Sequence, residues 1–271
     1  MEANIAFPAA LIGDPVRAGI LMALCDGRAH PATALARTLR VSAQSASNHL
    51  ARLVAGGLLT VEREGRHRYY RLSTPEVATA LEALGCLAPA TRQLESTLTP
   101  QARLLRFGRS CYDHLAGQLG VAIAECLEDR RYLLVPGDDS KLFLTGHPKH
   151  YALTDAGRQW FADLGIDTQA VSRGRRVLAR RCLDWTERQH HLAGALGAAL
   201  FSRLLELDWL RRGRTSRTVE VTAAGAGCFA RYLDIDVRAL RAPTNIPGTR
   251  SGSERAAAES APTRHHCGGI D

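Results

Sequence analysis

The chain has 271 residues, 45% of them hydrophobic, and a formal net charge of +8. Such a length holds one large or two ordinary domains, and the hydrophobic share is that of a soluble globular protein with a packed core. No apolar run approaches the roughly twenty residues that span a bilayer, and residues 1–14 lack the basic flank of a signal peptide, so a cytoplasmic protein is expected. The positive charge suits a polyanionic partner such as nucleic acid. Arginine carries almost all of it, Lys141 and Lys149 being the only lysines, as a GC-rich genome would also produce in unrelated proteins. Seven cysteines at irregular spacing do not read as a disulfide framework, and the cytosol would keep most of them reduced.

Residues 14–25 open with Asp14 as N-cap and Pro15 at the first helical position, followed by Val16, Ile20 and Leu24 at helical spacing. Gly27 ends that helix. Pro31 starts a short second one, with Ala32, Leu35, Ala36 and Leu39 on its apolar face. Ser42 caps a third helix, whose Ala46, Leu50 and Leu53 face inward while Gln44, Ser45, Ser47 and Asn48 face outward. Beyond Gly56 and Gly57, residues 58–63 and 66–72 read as two strands joined by a turn at Glu64 and Gly65, a basic hairpin. Short helix, turn, polar-faced helix and Arg-rich hairpin form the order by which one helix enters the major groove while a wing reaches the neighbouring backbone.

Residues 11–84 resemble the winged helix-turn-helix of the ArsR (arsenical-resistance regulator) family. The features in register are Asp-Pro-Val-Arg at 14–17, Ser-Asn-His-Leu at 47–50, Gly-Leu-Leu at 57–59 and the Gly-Arg-x-x-Tyr-Tyr wing at 65–70. The resemblance implies a recognition helix over residues 42–55, with Gln44, Ser45, Ser47, Asn48, His49 and Arg52 at double-stranded operator DNA. Hydroxyls, amides and imidazoles bond base edges or phosphates, whereas a buried helix would carry apolar groups there. Arg63, Arg66, His67 and Arg68 in the wing would meet phosphates or the minor groove. A solvated polar face on a protein-binding winged helix is the competing reading. Residues 75–84 form an amphipathic helix with Val77, Ala78, Leu81 and Leu84 in one stripe. By resemblance it pairs with the first helix across a two-fold axis, giving a homodimer; a lid over a second domain would use the same stripe.

Residues 87–108 read as a linker, with Pro89 and Pro100 among polar residues. Beyond it the chain repeats itself. His-Leu-Ala-Gly at 114–117 recurs at 191–194, Tyr132 aligns with Trp209, and Thr154, Gly157 and Phe161 align with Thr222, Gly225 and Phe229. The expected fold class is therefore mainly α with small β-hairpins (α+β). A winged helix-turn-helix at 1–86 is followed by a pseudo-symmetric domain of two helix-hairpin-helix repeats at 109–237 and a disordered tail at 238–271.

The metal positions usual in the family are empty: residues 32–40 hold no Cys-x-Cys pair, the helix after the wing has no Asp/His set, and Cys86 alone follows it. Cys111 and His114, three residues apart, would share one helical face, with Ser110 and Asp113 as a capping box and Cys111 in the first turn, where the helix dipole favours its thiolate. Cys182, Asp184, His190 and His191 lie near the start of the equivalent helix. If the repeats pack about a two-fold axis, Cys111, His114, Cys182 and one of His190 or His191 converge into a tetrahedral sulfur-nitrogen site for zinc or another thiophilic metal. Otherwise Asp113 and Asp184 are caps, the histidines are core hydrogen-bonders and the cysteines are small apolar residues. Arg173, Arg175, Arg176, Arg180 and Arg181 form a basic run that would extend the DNA footprint or, the stronger reading, make a solvated helix face, and His265, His266 and Cys267 belong to the tail.

The function expected is a dimeric, non-enzymatic, operator-binding repressor released by a metal ion, an oxidant or a small ligand. The alternative is a metal-dependent enzyme or a protein-interaction scaffold fused to a DNA-binding winged helix. Against the enzyme stands the lack of a phosphate-binding glycine loop, a nucleophile elbow or an HExxH zinc motif.

Overall fold

The computed structural model describes residues 2–88, 98–136, 149–213 and 217–241. Its first part comprises α1 (Ala6–Ile12), α2 (Pro15–Leu24), β1 (His30–Pro31), α3 (Ala32–Leu39), α4 (Ala43–Ala55), β2 (Leu59–Glu64), β3 (His67–Leu72) and α5 (Pro75–Leu87). The Asp-Pro-Val-Arg run builds the corner between α1 and α2. Asp14 accepts from the backbone N–H groups of Val16 and Arg17, and the buried Arg17 guanidinium donates to the carbonyls of Ala10 and Leu11 at the end of α1. One side chain thus occupies the carbonyls that a helix end leaves unbonded. Among the described residues no single helix is long and apolar enough to cross a membrane, and α1 and α2 meet at 88°.

Ile20, Leu21, Leu24, Leu35, Leu50, Leu53, Leu59, Tyr70, Leu72 and Leu81 close the core of this winged helix. The wing is antiparallel, Arg63 opposite Arg68 and Glu64 opposite His67, so its turn is Gly65 and Arg66, one residue later than expected. A third strand, β1, pairs with β3 through His30 and Pro31. Two residues carry too little pattern to be seen in sequence, and Pro31 caps α3 instead of starting it.

The second part comprises α6 (Pro100–Phe107), β4 (Arg109–Cys111), β5 (His114–Ala116), α7 (Gln118–Asp129), β6 (Leu133–Leu134), β7 (Ala152–Leu153), α8 (Asp155–Asp163) and α9 (Thr168–Ser172). It continues with β8 (Arg180–Leu183), β9 (His190–Ala193), α10 (Gly194–Glu206), β10 (Leu210–Arg212), β11 (Val219–Val221), α11 (Ala223–Leu233) and α12 (Val237–Arg241). From β4 the order hairpin, helix, hairpin, helix, short helix runs through twice. The threonines aligned in sequence are equivalent N-caps, Thr154 accepting from Gly157 N–H and Thr222 from Gly225 N–H.

Four further expectations are corrected. The proposed linker contains a capped helix, α6, with Thr99 accepting from Ala102 N–H. Residues 238–241 lie in α12, while His265, His266 and Cys267 fall outside the described residues. Each repeat opens with a hairpin instead of a helix, so Cys111 and His114 are cross-strand partners, as are Cys182 and His191. The reason is tertiary. Gly117 and Gly194, aligned in the two repeats, both have φ 84. A Cβ there would stand 2.5 Å from the Arg106 carbonyl oxygen and 2.6 Å from that of Val177, respectively, so neither can continue a helix from the preceding residues. The basic run is likewise no helix face, since Arg180 and Arg181 lie on β8 and Arg173, Arg175 and Arg176 follow α9.

Helix α7 of the first unit packs on β9 of the second, and α10 of the second on β5 of the first. This exchange brings the hairpins β4–β5 and β8–β9 together. Phe107, Leu115, Leu119, Ile123, Leu127, Phe161, Leu192, Leu196, Phe201, Leu204 and Phe229 form one shared core around them.

Candidate nucleic-acid interface and metal centre

On α4 the residues expected at DNA divide by exposure. Gln44, Ser47, Asn48 and Arg52 are exposed, while Ser45 and His49 are half-buried. The Gln44 amide donates to Asn48 Oδ1 at 3.0 Å, one turn along the same face. His49 turns toward the cap of α2, its Nδ1 3.5 Å from Asp14 Oδ1. Arg63, Arg66, His67 and Arg68 are all exposed on the wing. A polar helix face and a cationic loop then stand free on one small domain. Replacing Arg66 and Arg68 by Ala is expected to weaken DNA binding alike on any sequence and to lower the slope of log affinity against log salt by about one for each phosphate no longer neutralised. Fluorescence anisotropy across a salt series measures it.

The second site is buried between the repeats. One ligand atom each from Cys111, His114, Cys182 and His191 can be chosen so that all four lie within 4.8 Å of one another. The imidazoles of His114 and His191 stack, their centroids 5.1 Å apart. Cys111, Cys182, Ala116 and Ala193 make the small cluster beside them. His190 stays outside, its Nδ1 3.2 Å from an Arg181 guanidinium nitrogen. Strand alternation places adjacent residues on opposite faces, so only one of the two histidines can reach the centre.

Each inner histidine has a carboxylate at its other nitrogen. Asp113 Oδ1 lies 3.2 Å from His114 Nδ1, and Asp184 Oδ2 lies 3.4 Å from His191 Nδ1. Asp184 is fully buried and anchored on all sides, accepting from Arg109, Thr186 and the Gly117 N–H. Burial opposes its charge, but the Arg109 guanidinium, His191 and these hydrogen bonds hold its carboxyl well below the usual range. Asp113 is likewise lowered against the cost of burial, by His114 and Arg176. A carboxylate hydrogen-bonded as Asp113 is to His114 orients the imidazole and fixes which nitrogen is free, whereas Asp184 faces His191 at ion-pair distance without a hydrogen bond.

The Nε2 atoms of His114 and His191, and the Nδ1 of His191, are buried without a hydrogen-bond partner among the described residues. Leaving such an atom unpaired costs about 1–3 kcal/mol. The Cys182 thiol is held below its usual range by the hydrogen bond from Cys111 and by the two imidazoles beside it. Cys111 is pushed up by that same bond and by burial. Two buried cysteine sulfurs and two imidazole nitrogens without other partners among the described residues are the donor set a thiophilic cation takes. Sequence reasoning brought these four side chains together through the repeat but missed Arg109, whose only signal was a lone arginine next to the linker. By contrast, burial pushes the Cys25 thiol up to about 12, as befits a packing residue.

Residues 12–62 match the family described as "Helix-turn-helix domain". A relative described as an uncharacterized HTH-type transcriptional regulator, YdfF of Bacillus subtilis (strain 168), is 40% identical over 237 residues, covering 88% of this chain and all of that protein. The chain belongs to the HTH-type transcriptional regulators. Another relative of the regulator is the HTH-type transcriptional regulator CmtR of Mycobacterium tuberculosis (strain ATCC 25618 / H37Rv), 40% identical over 73 residues, 27% of this chain and 61% of that one. Among solved structures, HlyU from Vibrio cholerae N16961 is 31% identical and covers 32% of the regulator and 98% of its own chain, with a TM-score of 0.30. Similar too is the solved structure titled the cadmium metal-sensor CMTR from Mycobacterium tuberculosis, 32% identical, covering 35% of the regulator and 95% of that chain, with a TM-score of 0.27. The regulator binds DNA through its winged helix-turn-helix.

Proposed function

We propose that this regulator is a homodimeric, ArsR-type operator-binding repressor that a thiophilic metal ion, zinc or a close chemical relative, releases from DNA. The observation that carries the reading is the convergence of Cys111, His114, Cys182 and His191 from two hairpins into one buried cluster whose Nε2 atoms have no other partner among the described residues. Two thiolates and two imidazoles are a familiar tetrahedral set for zinc, with ligand bonds of about 2.0–2.3 Å. When bound, the ion would supply the charge that neutralises the thiolates. Gln44, Ser45, Ser47, Asn48 and Arg52, with Arg63, Arg66, His67 and Arg68, are the residues proposed at DNA, and His49 positions α4 against Asp14. Ile5, Phe7, Leu84 and Leu87 are large, apolar and exposed, which supports a second copy covering α1 and α5. The two units following α6 are proposed as an internal duplication with each unit supplying one Cys and one His.

Equilibrium dialysis against zinc and anisotropy on the DNA upstream of the protein's own gene test this. About one ion per chain is expected, with DNA affinity falling as zinc binds. The Cys111→Ser, Cys182→Ser double variant should keep DNA affinity and lose both zinc and release. Release by zinc that survives in the double variant would overturn the assignment.

A further inference from the structure

The two hairpins that carry the ligands also carry the seam with the DNA-binding part. Cys111 is followed by Tyr112, whose N–H donates at 2.6 Å to the carbonyl of Cys25, the C-cap of α2. The Tyr112 side chain packs against the winged-helix core, and its carbonyl oxygen stands where a Cβ on Gly27 would approach to 2.7 Å. Cys182 is followed by Leu183, whose carbonyl accepts from the Cys86 thiol in the last turn of α5 at 3.6 Å. Each ligating cysteine therefore has its next residue bonded to the end of a winged-helix element.

Further contacts join the same surfaces. On the other flank of Cys111, the Ser110 N–H donates to the Arg217 carbonyl at 2.8 Å. The Arg217 guanidinium makes a buried ion pair at 2.8 Å with Glu82 on α5, whose second carboxylate oxygen is buried with no partner among the described residues. Trp185 lies against Gly85, and Arg188 donates to the carbonyls of Cys86 and Ala88. A seam held by an ion pair with an unpaired oxygen, instead of a continuous apolar core, can reopen to water at modest net cost. It is suited to two arrangements.

We infer that the Tyr112–Asp113 turn and the start of the loop after Cys182 are the coupling element: occupation of the Cys/His centre re-seats the two hairpins against the ends of α2 and α5 and so changes the winged helix's grip on DNA. The inference rests on the metal reading of that centre. Four donor atoms that lie within 4.8 Å of one another are set to one fixed spacing when tetrahedral bonds of about 2.0–2.3 Å form, and the hairpins that carry them must adjust to it. Because Tyr112 and Leu183 are covalently next to the ligands, that movement reaches the seam directly. Asp113 closes the same turn, holding His114 on one side and Arg176 on the other.

The test uses Tyr112→Gly, which keeps the positive φ of that residue (61°) and removes the ring, and Gly27→Ala, which crowds the turn from the winged-helix side. Neither replaces a ligand. Zinc affinity is read by competition with a chromophoric chelator, and operator affinity by anisotropy with and without zinc, in the full chain. Both variants are expected to bind zinc within about threefold of wild type while the zinc-induced change in operator affinity shrinks at least about tenfold. Reciprocity supplies a second readout, since operator DNA should lower zinc affinity in wild type and not in the variants. Tyr112→Phe, which keeps the ring, should respond as wild type. Variants that bind zinc and still release DNA as wild type does would overturn the coupling alone, whereas a wild type that binds no zinc would overturn the metal reading and the coupling with it.

Discussion

Replacing Asp184 by Asn is expected to destabilise the second part of the chain by about 3–5 kcal/mol, the cost of removing one partner from a buried ion pair and leaving the other charge unpaired. Arg109 and Asp184 are both fully buried, 2.9 Å apart, and Arg109 also lies 4.6 Å from the Trp185 ring centre. The same carboxylate receives the Gly117 N–H at 2.7 Å, which fixes the entry to α7. Its loss therefore reaches both the core and the cluster. The pH dependence has a definite sign. A carboxyl lowered in the folded state stabilises the protein above its unfolded value near 3.9, and this contribution disappears as pH falls through the folded value. Urea unfolding of wild type between pH 6 and pH 3 should show a midpoint that declines toward acid, and Asp184→Asn should start lower and decline less. A variant as stable as wild type at pH 7 would show that the pair contributes nothing.

Zinc should raise the stability of the wild type by about 4 kcal/mol when its free concentration is a thousandfold above the dissociation constant, because an ion that binds only the folded chain adds its binding free energy to folding. Cys182→Ser should abolish this gain. The ligands must be deprotonated to bind, so the gain should also diminish as pH falls. Thermal unfolding at graded zinc, with and without a chelator, measures both effects. A melting temperature independent of zinc would remove the ion from the account of this domain.

The winged helix was legible because its determinants are local. Asp14 and Ser42 announce their helices as side-chain caps, Leu50 and Leu53 keep helical spacing, and Gly65 marks the wing turn. The Cys/His cluster was legible for another reason: the chain states its pattern twice, and His114 and His191 can be aligned without knowing what surrounds them. Their secondary structure was not legible. Ser110, Cys111, Asp113 and His114 carry both helix-start chemistry and strand-compatible spacing, and what decides between them is Asp184, some seventy residues away, bonding the Gly117 N–H and Arg109. Nor could the choice between His190 and His191 be made before strand register was known.

The clustered side chains from the two units stand far apart along the chain, Cys111 from Cys182 by 71 residues (182 − 111) and His114 from His191 by 77 (191 − 114). An ion held by all four would be a reversible cross-link closing a long loop. In chain-entropy terms, a covalent closure of that length restricts the denatured ensemble by about 4 kcal/mol. Here the clasp is removable, so metal supply would also set how readily the second half of the protein opens to a protease, and the lifetime of the regulator would follow the same signal as its occupancy of DNA.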